Sequence, residues 1–233
     1  MTSDINQNKL STQYDEIGKE YLSAREAFYQ NVADGAKLFI DSQLTRVKPT
    51  RGRFLLDIGC GDCSDTEKYK KLGFKTFGLD SSRVMLDKAI EKGFDPEHLI
   101  HSSMDNIPAS EKSFDVLTSR YALHYLENLD PAFEEFARII KPEGLLVFIV
   151  GHPLNNLLRQ QNKVYGEKEV IEVPLYGDKT TVKSVSHTFS DYISPTFLNN
   201  FDLLHLEEGK QKNEKEIEGF QTPGFLGFVG RKR

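Results

Sequence analysis

The chain has 233 residues but no long apolar run and no excess of positive charge. No apolar stretch reaches the ~18 residues that a membrane span requires, and the polar N-terminus lacks the apolar centre of a signal peptide. The formal net charge of -5 disfavours a nucleic-acid backbone as the partner, because phosphate binding needs a basic surface. We therefore expect a cytoplasmic protein that binds no membrane, and the charge disfavours nucleic acid as its partner.

Cysteine is also scarce, with only two in the chain. Cys60 and Cys63 form a C-x-x-C pattern, but zinc would need further ligands at a matching spacing. The sequence also lacks the G-x-x-x-x-G-K-[ST] loop of nucleotide triphosphatases. We expect no metal site, and we interpret the two cysteines as small residues beside a bound cofactor.

Two apolar segments end in residues that suit the binding of a nucleoside. The first, Leu55–Ile58, is followed by Gly59 and Gly61, and the second ends in Asp80, nineteen residues after Gly61. In a parallel βαβ unit this arrangement places the glycines and the acid at the carboxyl ends of adjacent strands. The glycines let the backbone approach a ligand closely, and the carboxylate can accept hydrogen bonds from both ribose hydroxyls.

The negative charge near these glycines and the expected start of the following helix favour one nucleoside cofactor over the others. A dinucleotide site has a third glycine, whose position is taken here by Ser64. Ser64 and Glu67 are expected to form a capping box, and nearby carboxylates add negative charge (Asp57, Asp62 and Asp65). A pyrophosphate would be repelled, whereas the ammonium and sulfonium groups of S-adenosylmethionine would be attracted. S-adenosylmethionine therefore fits this segment better than NAD, FAD or ATP.

The same segments resemble the cofactor signature of the class I S-adenosylmethionine-dependent methyltransferases, of the small-molecule, type 11-like kind. The similarity covers roughly residues 52–150 and includes four motifs in order. Leu55–Gly61 with Asp80 comes first. It is followed by segments that resemble the adenine-side loop, the fourth strand, and the unit of helix, Lys-Pro-x-Gly turn and fifth strand, namely Ser103–Pro108, Phe114–Ser119 and Leu129–Val150. The resemblance implies S-adenosyl-L-methionine as the cofactor and S-adenosyl-L-homocysteine as the product.

Alternating apolar and helical segments predict an α/β fold with a doubly wound sheet. The resemblance implies a mixed, Rossmann-like sheet of seven strands whose final strand is antiparallel. We expect four parts: an N-terminal helical lid, a cofactor-binding core, an insertion that covers the substrate, and a C-terminal helix with the last two strands, over residues 1–48, 49–150, 151–190 and 191–233.

Several element boundaries can also be predicted. Asp130 should cap a helix that begins with Pro131, and Lys141–Gly144 should form a turn before a buried strand over Leu145–Val150. The insertion should contain a hairpin, and a single helix should lie near Asp191–Asn200.

The resemblance and the positions at strand ends assign candidate residues to the cofactor. Gly59 and Gly61 would allow close backbone approach, Asp80 would bind the ribose, and Arg25 of the lid could pair with the cofactor carboxylate. The full set of candidates is Tyr14, Arg25, Asp57, Gly59, Cys60, Gly61, Asp80, Ser81, Met85, Met104, Asp105, Asn106 and Arg120.

In methyl transfer from a sulfonium, the protein mainly has to align the reactants and exclude water. For some acceptors it also has to remove a proton. Histidine can serve as that base. The catalytic candidates are His124 and His152, after the fourth and fifth expected strands, and His187 and Tyr192 from the segment expected to arch over the same edge. His152 and His187 also resemble a pair found in a subgroup of small-molecule methyltransferases, in which an arginine often follows the second histidine. Thr188 takes that place here.

Three functions remain open at this point. The first is a methyltransferase that acts on an oxygen, nitrogen or carbon nucleophile of a small molecule, as a monomer or homodimer. The second is a tRNA or protein methyltransferase, for which we expect a basic rim or an open groove. The third is a non-catalytic scaffold subunit that binds S-adenosylmethionine. It should expose a large apolar patch through Phe189, Ile193 and Phe197.

Overall fold

The computed structural model describes residues 10, 12–29, 35–48, 51–209, 217 and 219–233. The helices are α1 (Tyr14–Tyr29), α2 (Gly35–Leu44), α3 (Thr66–Lys71), α4 (Arg83–Glu91), α5 (Asp130–Ile139), α6 (Pro153–Arg159), α7 (Phe189–Tyr192) and α8 (Pro195–Asn200). The strands are β1 (Phe54–Ile58), β2 (Lys75–Asp80), β3 (Leu99–His101), β4 (Phe114–Arg120), β5 (Ile140–Gly151), β6 (Val170–Leu175), β7 (Thr180–Val185), β8 (Phe201–Gly209) and β9 (Phe225–Lys232). Short 3-10 turns cover Pro96–His98 and Leu123–Tyr125.

Seven strands form one mixed sheet in the order β3-β2-β1-β4-β5-β9-β8. Neighbouring strands from β3 to β5 are parallel, whereas β9 runs antiparallel to both β5 and β8. The chain order reverses between β1 and β4, and ligands bind at such a reversal, outside the carboxyl ends of the strands. β6 and β7 form a separate antiparallel hairpin. The predicted seven-stranded mixed sheet is confirmed.

Side chains alternate between the two faces of the central strands, and each face has its own core. Leu56 and Leu117 pack on one face with phenylalanines of α5 and α8. Leu55 and Val116 pack on the other face against α2. Because both faces are covered, the central strands are almost continuously apolar in the sequence.

The two cysteines are buried at the turn after β1, and both are free thiols. A Cβ on Gly78, within β2, would lie 2.8 Å from Cys60 Sγ and 2.9 Å from Cys63 Sγ. A larger residue at position 78 would therefore displace the sulfurs. Within the residues that the structure describes, no group of three or more His, Cys, Asp or Glu side chains could hold a metal ion.

The start of α3 differs from the prediction. The capping box expected at Ser64 does not form, because the helix begins at Thr66 and the preceding Asp65 makes no side-chain capping hydrogen bond. Ser64 Oγ instead donates to Asp62 Oδ2 at 2.9 Å and accepts from Arg25 Nη2 at 3.3 Å. Arg25 comes from α1, so the local sequence does not reveal this competing contact.

β5 begins earlier than predicted and includes the segment expected to be a turn. Ile140 already pairs with Phe114 of β4, and the register shifts just after this pair. Lys141 Nζ lies 2.7 Å from Asp115 Oδ2. This ion pair holds the irregular segment beside β4, so it extends the strand.

Two helix predictions also change. α5 starts one residue early, and Asp130 accepts a hydrogen bond from Ser194 Oγ at 2.7 Å instead of capping its own helix. The single helix expected near residues 191–200 is divided into α7 and α8, because Ser194 caps α8 by accepting from Phe197 N. Phe197 is fully buried, and Phe189 and Ile193 pack against the core. The apolar patch expected for a scaffold subunit is therefore not formed by these residues.

Candidate cofactor and acceptor site

A cavity of about 570 Å³ lies at the carboxyl ends of β1, β2, β4 and β5. The turns after these strands form one side of it, and α1 and the β6–β7 hairpin contribute the cover. Among the described lining residues, the charged side chains are three arginines and four aspartates (Arg25, Arg120, Arg159, Asp62, Asp65, Asp80 and Asp178). These residues do not form the basic rim expected for a tRNA methyltransferase.

The turn between β1 and α3 requires glycine for steric reasons. Gly59 has a φ of 71°, and a Cβ there would lie 2.3 Å from the Cβ of Ala122. The N–H of Gly61 donates to Asp80 Oδ2 at 2.8 Å, and Ser82 N donates to Asp80 Oδ1 at 2.9 Å. Asp80 therefore links the ends of β1 and β2. It also lines the cavity, where its carboxylate can accept further hydrogen bonds.

Asp57, in β1, lies beneath this turn and does not line the cavity. Its carboxylate accepts hydrogen bonds from Thr66 Oγ1 at 2.6 Å and from Thr118 Oγ1 at 2.9 Å. Burial raises the pKa of Asp57 to about 7, and the two hydroxyl donors only partly oppose this effect. The residue joins β1 to β4 and α3 beneath the glycine turn, and its assignment to the cofactor stays a prediction.

Ion pairs connect the glycine turn to α1 and β4. Arg25 Nη2 lies 2.6 Å from Asp62 Oδ2, and Lys92 Nζ binds the same oxygen. Burial alone would raise the pKa of Asp62, but Arg25 and Lys92 outweigh it and hold that pKa well below its ordinary value. In the same way, Arg120 Nη2 lies 2.6 Å from Asp65 Oδ2. Two of the arginines in the cavity wall are thus already bound to carboxylates.

α1 also bridges to the insertion. Gln13, just before the helix, donates from Nε2 to Lys183 O at 3.0 Å and accepts at Oε1 from Lys183 N at 2.9 Å. The hydroxyls of Tyr14 and Tyr125 lie 2.7 Å apart. These contacts hold α1 against both the hairpin and the turn after β4, so the helix spans the cavity.

His124 lies in the 3-10 turn after β4 and lines the cavity. It is 8% exposed, and its ring makes no hydrogen bond within the described part of the chain. Burial lowers the pKa of His124 to about 3, with a smaller contribution from His187. The imidazole is therefore neutral near pH 7 and can accept a hydrogen bond from a ligand.

The other three catalytic candidates do not line the cavity. His152 caps α6, because its Nδ1 accepts from the first turn, and its Nε2 donates to Glu208 at 2.9 Å. His187 Nε2 donates to the carbonyl of Leu126 at 2.8 Å, and Tyr192 is fully buried in the core. His152 follows β5 as expected, but its side chain caps α6, and the side chains of His187 and Tyr192 are used in hydrogen bonding and packing outside the cavity wall.

Most of the cofactor candidates do line the cavity, namely Tyr14, Arg25, Gly59, Cys60, Gly61, Asp80, Ser81, Met85, Met104 and Arg120. Asp105 and Asn106, like Asp57, do not. The loop after β3 instead presents Ser102 and Ser103, which carry no distinctive signal in the sequence. Further lining residues that we did not predict come from α6 and the hairpin, including Asn155, Asn156, Arg159, Val173, Leu175, Val182 and Ser184.

A family model described as a methyltransferase domain matches residues 56–148, which contain the glycine turn, Asp80 and His124. This segment of the chain therefore carries a methyltransferase domain. Among curated relatives, the methyltransferase is 27% identical over 173 residues to the malonyl-[acyl-carrier protein] O-methyltransferase of Yersinia pestis. The match covers 69% of this chain and 64% of that protein.

The methyltransferase also resembles solved structures at low sequence identity. An S-adenosylmethionine-dependent methyltransferase from Mesorhizobium loti superposes with a TM-score of 0.64 at 20% identity, over 85% of this chain and 99% of that one. A methyltransferase solved in complex with the Haloferax volcanii Trm112 activator superposes with a TM-score of 0.67 at 16% identity, over 99% of both chains. These likenesses show a shared fold. No helix of the described ranges is long and apolar enough to cross a membrane.

Proposed function

We propose that this methyltransferase transfers the methyl group of S-adenosylmethionine to a nucleophile of a small molecule. The observation that carries the proposal is that one cavity contains both halves of such a site. The glycine turn and Asp80 lie in one part of its wall, and His124 with α6 and the hairpin lies in another. The cover formed by α1 and the hairpin favours a substrate small enough to be enclosed.

The cavity wall fits the cofactor. A Cβ at Gly59 would collide with Ala122, so the bare backbone is what the turn presents to a ligand. Asp80 has lone pairs left for the ribose hydroxyls after accepting its two backbone N–H groups. Ser103 and Met104 would lie on the adenine side. When bound, S-adenosylmethionine supplies a methyl group on a positively charged sulfur, which needs no further activation.

The protein's own side chains would bind the acceptor and exclude water. His124 is neutral and makes no side-chain hydrogen bond within the described residues, so its ring can accept a hydrogen bond from the acceptor and orient it. α1 is held over the sheet edge by Arg25 and Gln13, which would exclude water from the reacting groups.

Thermal unfolding with added nucleosides tests the cofactor half of this proposal. S-adenosylhomocysteine at about 100 times its Kd should raise the melting temperature by about 5 °C or more, because only the folded state binds it. NAD and ATP at the same concentration serve as controls and should give no shift. A shift with NAD or ATP but none with S-adenosylhomocysteine would contradict the proposal.

A fractionated cell extract tests the acceptor half. The enzyme is incubated with S-adenosylmethionine and, separately, with the small-molecule, RNA and protein fractions of one extract. We expect S-adenosylhomocysteine to form with the small-molecule fraction. Turnover confined to the RNA or protein fraction would favour the second of the three functions considered above.

A further inference from the structure

Three buried polar side chains of the cavity wall have no hydrogen-bond partner in the described part of the chain. They are His124, Asn156 of α6 and Ser184 of β7, which are 8%, 6% and 3% exposed. None of their polar atoms is fully buried, so they are open to the cavity and can form hydrogen bonds with what it contains. All three line the same cavity, so a bound molecule could supply their missing partners.

Polar residues next to two of these three side chains do have hydrogen-bond partners within the protein. Ser186, two positions after Ser184 and equally buried, accepts from Gln160 Nε2 at 2.8 Å and from Glu169 N at 2.9 Å. Asn155, next to Asn156, donates from Nδ2 to a carbonyl in the loop before β9 at 3.1 Å. Ser186 and Asn155 are therefore bound within the protein, whereas His124, Asn156 and Ser184 are open towards the cavity.

Apolar side chains of the hairpin lie beside the three polar side chains in the cavity wall. β7 packs against the turn that carries His124, and a Cβ on Gly151 at the end of β5 would lie 3.6 Å from Asn156 Oδ1. The hairpin adds Val173, Leu175 and Val182 to the same wall. An apolar wall with a few polar groups is typical of a site for a small, largely apolar molecule.

We propose that His124, Asn156 and Ser184 form the acceptor subsite, and that the acceptor is an uncharged molecule with a hydroxyl group on an apolar body. This inference rests on the proposed methyl transfer. The hydroxyl can donate to a ring nitrogen of His124 and accept from the amide of Asn156 or the hydroxyl of Ser184. During transfer the oxygen would gain the methyl carbon as the carbon–sulfur bond of the cofactor breaks, and the hydroxyl proton, held by a hydrogen bond to His124, would be released to solvent.

The charges of the wall favour a neutral acceptor over an ionised one. Asp62 and Asp65 are paired with Arg25 and Arg120, so they are not available to an ammonium group. Arg159 and Asp178, which also line the cavity, each already have an interaction with another group of the protein, and Asp80 is assigned to the ribose. None of the three subsite side chains is charged near pH 7, and a buried ion would therefore lack a counter-charge among them.

A stability comparison tests the subsite without knowledge of the substrate. Ser184→Ala and Asn156→Leu remove polar atoms that have no partner in the described structure, so the melting temperature of the ligand-free protein should stay the same or rise. Ser186→Ala is the matched control and should lower it by about 3 °C or more, because two donors lose their acceptor. If Ser184→Ala and Asn156→Leu lower it as much as the control does, the side chains are structural and the proposal is wrong.

Binding of three probes with the same apolar body tests the acceptor class. In the presence of saturating S-adenosylhomocysteine, calorimetry should show that 4-butylphenol binds at least about tenfold more tightly than 4-butylbenzoate or 4-butylbenzylamine. Ser184→Ala and Asn156→Leu should weaken phenol binding about tenfold and leave the affinity for S-adenosylhomocysteine unchanged. Preference for the carboxylate or the amine, no binding of the phenol, or variants that bind it like the wild type would overturn the proposal. Loss of S-adenosylhomocysteine binding itself would instead refute the proposed function.

Discussion

Replacing the buried Asp57 with asparagine should stabilise the protein, and the gain should grow with pH. Asp57 is 4% exposed, and both of its carboxylate oxygens accept hydrogen bonds from threonines. Burial nevertheless raises its pKa to about 7, from an ordinary value of 3.8. Between these two values the folded state holds a proton that the unfolded chain has lost. The free energy of unfolding of the wild type therefore falls as the pH rises through this range.

The difference between the pKa values of Asp57 in the folded and unfolded states sets the size of the stability gain. Each pH unit between the two values costs the wild type up to about 1.4 kcal/mol, which accumulates to about 4 kcal/mol above pH 7. Asparagine has no charge to bury, and it can accept from one threonine while it donates to the other, Thr66 or Thr118. Asp57→Asn should therefore gain about 2 to 4 kcal/mol at pH 8, and less at pH 5.

Urea denaturation at pH 5, 6, 7 and 8, followed by circular dichroism, measures this gain. The difference between variant and wild type should increase up to pH 7 and then level off. Asp87→Asn, which removes an exposed carboxylate of α4, is the matched control and should change the stability by less than about 0.5 kcal/mol. If Asp57→Asn gives a difference that does not vary with pH, or a loss at pH 8, the carboxylate is not held neutral by burial.

Three further changes test other parts of the site. Gly59→Ala should lower the free energy of unfolding by about 2 kcal/mol or more and weaken S-adenosylhomocysteine binding, because its Cβ would lie 2.3 Å from Ala122 Cβ; unchanged melting and calorimetry would contradict this. Arg25→Gln should speed amide hydrogen exchange in α1 at least about tenfold, since the pair with Asp62 is lost, and unchanged exchange would show that the pair does not hold the helix. His124→Gln should slow methyl transfer to a phenol about 100-fold at unchanged cofactor affinity, and the wild-type rate should show no inflection near pH 6.5 that depends on His124.

The central parallel strands could be predicted from the sequence because buried parallel strands are apolar along their whole length. Leu145–Val150, for example, is buried in the core of the sheet and contains no polar residue. Element ends were harder to predict, because they depend on distant residues. Ser64 is of a residue type that commonly caps helices, yet its hydroxyl accepts a hydrogen bond from Arg25, thirty-nine positions away in the sequence. No local pattern could reveal that contact.

The residues of the cavity wall also differ in whether the sequence could predict them. Gly59 and Asp80 could be predicted to lie together because a single βαβ unit holds them. Asn156 and Ser184 belong to no motif, and only their burial without a partner marks them. His152 shows the converse error, since it stands at a strand end as expected but its ring caps α6. A strand-end position thus predicts where a residue lies, but not where its side chain points.

Calorimetric titration of S-adenosylhomocysteine into the wild type and Asp80→Ala tests the central claim most directly, with Asp87→Ala as the control. We predict that the wild type and the control bind with the same affinity. Asp80→Ala should bind at least about tenfold more weakly, because a charged hydrogen-bond acceptor for the ribose is lost. Absence of binding by the wild type at millimolar ligand, or equal binding by Asp80→Ala, would contradict the account.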